Sequence, residues 1–191
     1  MGEVRKTHVL SPHNIISSPN TATLLLVGAE GMGKHKFASS IISQKTSFSL
    51  QIRTARRLPL PVDTEDTRPN IDYIVFIIDL TNRASISSME ASLKTLDCEY
   101  FLGRCCCIVH NANNTNLHGA DIKNITGLCD AYHMPMLCAG FDCTLLQEDK
   151  ELKSISQKVL SLLQVACGAR KWISPMIIEA TRQSFTFQET L

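Results

Sequence analysis

An α/β fold, with a mostly parallel sheet and helices on both faces, is predicted by three observations. A short apolar strand runs into Gly28-Ala29-Glu30-Gly31-Met32-Gly33-Lys34, a GxxxxGK loop that opens a helix. Two further runs, Ile71 to Leu80 and Arg104 to His110, are nearly continuous β-branched, aromatic or cysteine residues, as strands covered on both faces require. Between them the apolar period switches to that of helices, giving the order β-α-β-β-α-β-α-β-α.

Taken in order, residues 1–20 mix Ser, Pro, Asn and His without periodicity, and Ser17-Ser18-Pro19-Asn20 is a breaker cluster, so a flexible leader is expected there. Thr21 to Val27 is the first strand. Phe37, Ala38, Ile41 and Ile42 recur at helical spacing from Lys34 to about Gln44. Phe48, Leu50 and Ile52 alternate with polar residues and predict a half-buried strand; Leu58-Pro59-Leu60-Pro61 and the acidic, Thr-rich stretch to Pro69 predict an irregular connection.

Asp79-Leu80-Thr81-Asn82-Arg83 closes the next strand, where Asp79 is expected to serve a turn or cap. Ser87 with Glu90 has the spacing of a capping box, predicting a helix from there to about Cys98. After the strand ending at His110 comes an Asn-rich turn, then a helix from about Gly119 to Tyr132, a strand from Met134 to Ala139 and a long amphipathic helix to about Cys167. Residues 168–191 follow the expected end of the domain at residue 167. Their apolar members Trp172, Ile173, Met176, Ile177 and Ile178 have no evident place in the sheet.

Bulk properties narrow the function classes. A chain of 191 residues can bury roughly 70% of its unfolded surface, enough for one core without disulfides. Its eight cysteines lack zinc-like pairing, so free thiols in a reducing compartment are expected. The formal charge of +1 gives no strong field toward nucleic acid or an anionic membrane; Arg53, Arg56 and Arg57 form one small basic cluster, expected in a solvated loop. No run approaches the ~18 apolar residues of a membrane span, and no lipidation motif is present. No metal or cofactor site is evident, since His35 and His110 are isolated.

The strand-GxxxxGK-helix unit, the strand ending Asp79-x-Thr81-Asn82-Arg83-x-Ser85 and the strand ending in an Asn-rich turn together resemble the Ras-like small GTPases, over about residues 21–167. The resemblance implies a P-loop NTPase, small-GTPase-like fold in which Gly28, Gly31, Gly33 and Lys34 occupy the phosphate-cradling positions. It also exposes three departures. His35 stands where the family has a magnesium-binding Ser or Thr. No glycine occurs between Lys34 and Gly103, so no Asp-x-x-Gly is present and the switch regions are truncated. The base-reading Asn-Lys-x-Asp is represented by Asn111-Ala112-Asn113-Asn114, and an amide cannot accept two guanine N–H bonds as a carboxylate does.

Three independent losses in one function predict a pseudo-GTPase with no catalytic residue, no cofactor and a degenerate phosphate loop open to residual anion binding. A working nucleotide switch with a rebuilt magnesium site is the alternative. The loss pattern, with Asn20 to Gly28, Leu58-Pro59-Leu60-Pro61, Ile71 to Phe76, Tyr100-Phe101-Leu102-Gly103 and Val159 to Val165, resembles the centromere protein M family of the inner kinetochore. That resemblance implies a nuclear, centromeric scaffold within the constitutive centromere-associated network. It implies centromere protein I as direct partner, proteins H and K in the same subcomplex, no membrane contact, nucleic acid met only indirectly, and a monomer in isolation. Phe101, Leu102, Trp172, Ile173, Met176 and Ile177 are the candidate partner-binding residues, because large apolar side chains in connections need a cover.

Overall fold

The computed structural model describes residues 20–60, 70–112, 122–139, 148–170 and 173–177. Trp172, Ile178, Asn113, Asn114, the start of the helix expected from Gly119 and the acidic stretch to Pro69 lie outside them. Five strands form one sheet in the order β2-β1-β3-β4-β5: β1 (Thr21–Val27), β2 (Ser49–Ala55), β3 (Tyr73–Asp79), β4 (Cys105–His110) and β5 (Met136–Ala139). Every pairing is parallel. The helices are α1 (Lys34–Ile42), α2 (Arg83–Leu93), a short 3-10 turn (Cys98–Phe101), α3 (Ile122–Ala131) and α4 (Glu148–Ala166).

The continuous apolar strands split by side-chain alternation into two cores. Leu25, Val27, Ile74, Phe76, Ile78, Cys105, Cys107 and Val109 point to one face, where Met89 and Leu93 of α2 and Ile125 and Cys129 of α3 cover them. Leu24, Leu26, Tyr73, Val75, Ile77, Cys106 and Ile108 point to the other, under Phe37 and Ile41 of α1 and Leu152, Ile155, Val159 and Leu163 of α4. Because the sheet is parallel, the ends of β1, β2, β3 and β4 all reach one side, where the loop after β1 and the end of β2 form the cradle.

Three expected boundaries move. The Ser87–Glu90 capping box is not the start of α2: the helix begins at Arg83, capped by Asn82, whose side-chain oxygen accepts the Ala84 N–H at 3.0 Å. Asn82 leaves β3 in an extended conformation with its amide already aimed at the first turn, so it captures the helix before Ser87 is reached. The helix also ends at Leu93, and Asp97 caps the separate 3-10 turn by accepting the Glu99 N–H. The last strand starts at Met136 because His133 takes a left-handed turn and the Met134 N–H is used by Cys129 O, ending α3.

Candidate functional site

The glycine loop leaves β1 through Gly28, whose backbone lies against β3 so closely that a Cβ there would sit 2.7 Å from Ile77 O. Gly31 (φ +81°) and Gly33 (φ +65°) adopt left-handed conformations, and Gly33 enters α1 with no side-chain cap. These are the conformations that turn successive N–H groups inward at a phosphate cradle. A cavity of about 550 Å³ lies over the loop, lined by Glu30 to Lys36 and by Thr54, Ala55 and Arg56 at the end of β2.

Lys34 is buried, and its ammonium donates to Gly28 O, to Ala29 O at 2.9 Å and to Ala55 O at 3.3 Å. Burial lowers its pKa, the charge of Arg56 lowers it further, and Glu30 opposes both. All three ammonium protons are spent on the protein. Lys34 therefore ties the loop to the end of β2 from within.

The first turn of α1 lacks the hydroxyl that would hold a phosphate-bridging magnesium ion. Such an ion needs oxygen ligands, yet His35 is exposed in the first turn of α1 and the neighbouring strand delivers Arg56, ion-paired with Glu30 at 2.8 Å. Asp79, at the end of β3, is committed to its own turn: its Oδ1 accepts the Thr81 N–H and Asn111 Nδ2, each at 2.9 Å. Burial would raise the Asp79 pKa, but those hydrogen bonds outweigh it and hold the carboxyl below its ordinary value. Among the described residues no three His, Cys, Asp or Glu side chains cluster as a metal site.

The thiols buried in the middle of β4 are also unsuited to nucleophilic work. Burial pushes Cys106 up to about 12, and Cys107 is raised by a hydrogen bond with Cys129 and by burial.

At the opposite edge of the sheet, the candidate partner residues divide. Phe101 turns inward, its half-buried ring 4.9 Å from that of Tyr132 and packed on the core. Leu102 is 47% exposed. After α4 the chain returns so that Pro175 lies on Gly103: a Cβ on Gly103 would meet Pro175 Cβ at 2.9 Å and Pro175 O at 3.0 Å. This brings Ile173, Met176 and Ile177, which are 40%, 60% and 54% exposed, to the loop that carries Leu102. Sequence reasoning had no signal for the Gly103–Pro175 contact, which depends on two segments seventy-two positions apart.

The parallel sheet, the glycine loop leading from β1 into α1 and the helices on both faces define a phosphate-loop, small-GTPase-like domain. A family model for centromere protein M matches residues 7–185. Centromere protein M of Danio rerio is 34% identical over 160 residues, covering 84% of this chain and 83% of the relative. The Xenopus laevis protein is 30% identical, with 83% and 86% covered, and the Homo sapiens protein 29%, with 84% and 85% covered. The chain belongs to the centromere protein M family.

Proposed function

We propose that this chain is a non-catalytic pseudo-GTPase: a nuclear scaffold subunit of the inner kinetochore that binds centromere protein I, with centromere proteins H and K in the same subcomplex, and supports chromosome segregation. Membership of a centromere protein family supports the setting. The observation that carries the mechanism is the pairing of two facts about the fold's two edges. At the cradle, Lys34 is consumed by Gly28, Ala29 and Ala55 and the end of β2 offers a cation where a metal would need oxygen. At the other end of the strands, Pro175 lies on Gly103, and the exposed Leu102, Ile173, Met176 and Ile177 flank that contact in sequence.

A rigid domain with an exposed apolar patch gains affinity by burying it without first ordering it. The domain organisation follows the same logic: the described part of residues 21–167 supplies the folded body, and residues 168–191 include Ile173, Met176 and Ile177 of the patch. The test is pull-down of recombinant centromere protein I with Leu102→Glu and Met176→Glu, both expected to stay folded and lose binding. Full retention in both variants overturns the patch. Denaturing the purified protein and finding bound guanine nucleotide would overturn the pseudo-enzyme reading.

A further inference from the structure

The described chain leaves one long strand edge open, and it is edged with arginine. β2 occupies one margin of the sheet and pairs with β1 alone. The bonds at its two ends fix which backbone groups face inward: Ser49 N–H donates to Asn20 O, and Ala55 O accepts from Gly28 N–H. By the alternation of a parallel ladder, Ser49, Gln51, Arg53 and Ala55 face β1, while Leu50, Ile52 and Thr54 direct their N–H and C=O groups outward. Among the described residues nothing pairs with those outward groups.

The side chains around this edge are not neutral. Arg53 lies within the strand, not in the solvated loop expected from sequence, and Arg56 and Arg57 follow directly at its carboxyl end. All three are exposed, and Arg56 is ion-paired with Glu30 in a bridge whose side chains are 74% and 77% exposed. A pair that open to water is readily exchanged. On the opposite face of the strand Leu50 and Ile52 are half-buried over α1, which ends on Ile42, 62% exposed.

We propose that the outer edge of β2 is a docking site for an extended acidic segment of a partner polypeptide, one that alternates carboxylate and apolar side chains. Such a strand would satisfy the outward N–H and C=O groups of Leu50, Ile52 and Thr54. Its acidic side chains would lie beside Arg53, Arg56 and Arg57, and its apolar ones would extend the face of Leu50 and Ile52. The open ladder favours a polypeptide over a nucleic acid, which has no matching main-chain groups. A second copy of this chain is disfavoured because it would bring the same positive charges to the same edge. The site lies diagonally across the sheet from the Leu102 patch, on the outermost strand at the other side, so it is independent of that patch, and it shares Arg56 with the rim of the cradle.

The experiment uses the whole protein and a fluorescein-labelled heptapeptide of alternating Glu and Val, followed by polarisation at low ionic strength. Binding is expected, with gain of hydrogen-exchange protection at the amides of Leu50, Ile52 and Thr54. N-methylation of alternate peptide amides, and separately Arg53→Glu with Arg57→Glu, should each weaken binding by about tenfold or more. Both arginines are exposed, so the thermal midpoint of the double variant should match the parent; Arg53→Gln with Arg57→Gln serves if it does not. Leu102→Glu should leave peptide binding unchanged. The proposal is overturned if the peptide does not bind, if N-methylation or charge reversal has no effect, or if a DNA duplex binds the arginines while the acidic peptide fails.

Discussion

Pro175 sits on the α-carbon of Gly103, and that contact holds the segment after α4 against the loop that precedes β4. The position admits only glycine for two reasons. Its φ is +78°, and any Cβ would run into the Pro175 side chain and carbonyl at 2.9 and 3.0 Å. Gly103→Ala should therefore cost about 1–3 kcal/mol of stability through backbone strain and the displaced contact. It should also speed limited proteolysis between residues 170 and 178. Urea denaturation and a proteolysis time course read the two effects. Unchanged cleavage would mean that the contact does not hold the segment.

Asp72 predicts a pH dependence of the opposite sign to most carboxylates. Its Oδ2 accepts the Thr23 N–H at 2.7 Å and Asn70 Nδ2 is 3.3 Å from Oδ1, yet burial dominates and raises its pKa above 3.8. The folded protein thus holds this proton more tightly than the unfolded chain does. Its contribution is fully present below the unfolded value and is lost as pH rises through the folded one. Asp72→Asn keeps an acceptor for Thr23. It also lets Asn70 turn over so that its Oδ1, buried and unbonded, receives the new amide. The stability of the parent relative to Asp72→Asn should fall as pH is raised from below ~4 toward neutrality, then level off. Urea titrations across that range check the sign, and a parent that gains stability with rising pH would refute it.

The corrected start of α2 gives a direct comparison of two residues. Asn82→Ala removes the cap of the Ala84 N–H and should cost about 1 kcal/mol, while Ser87→Ala, in the second turn and exposed, should be near neutral. Chemical denaturation of the two variants separates them. The reverse order of effects would restore Ser87 as the cap.

The two residues also mark how much the sequence could tell. The strands were legible because a parallel sheet covered on both faces demands unbroken apolar runs, and β1, β3 and β4 supply them. Helix ends were less so: Ser-x-x-Glu is a local pattern, whereas Asn82 wins because β3 delivers it in the right conformation. The loop's glycines were legible from spacing, but the acceptors of Lys34 were not, since one of them, Ala55, belongs to the neighbouring strand. For the same reason the inward turn of Phe101 depended on Tyr132, and the open edge depended on β2 being outermost. Periodicity reports which face of an element is apolar; it does not report which elements become neighbours.

Lys34 provides the sharpest test of what the glycine loop has become. If its ammonium is a tie between loop and strand, removing it leaves the carbonyls of Gly28, Ala29 and Ala55 short of a donor in a partly buried site. Lys34→Met, which keeps the length of the stem, should then destabilise the fold by about 1–3 kcal/mol, the usual cost of stranding buried acceptors. The loss should appear equally with and without GTP and magnesium. A ligand that bound the folded loop would raise the thermal midpoint of the parent according to its concentration over Kd, and would widen the gap between parent and variant. Differential scanning fluorimetry of both proteins, with and without millimolar GTP and magnesium, is expected to show one constant difference and no ligand shift. A nucleotide-dependent rise confined to the parent would show that Lys34 still holds phosphate.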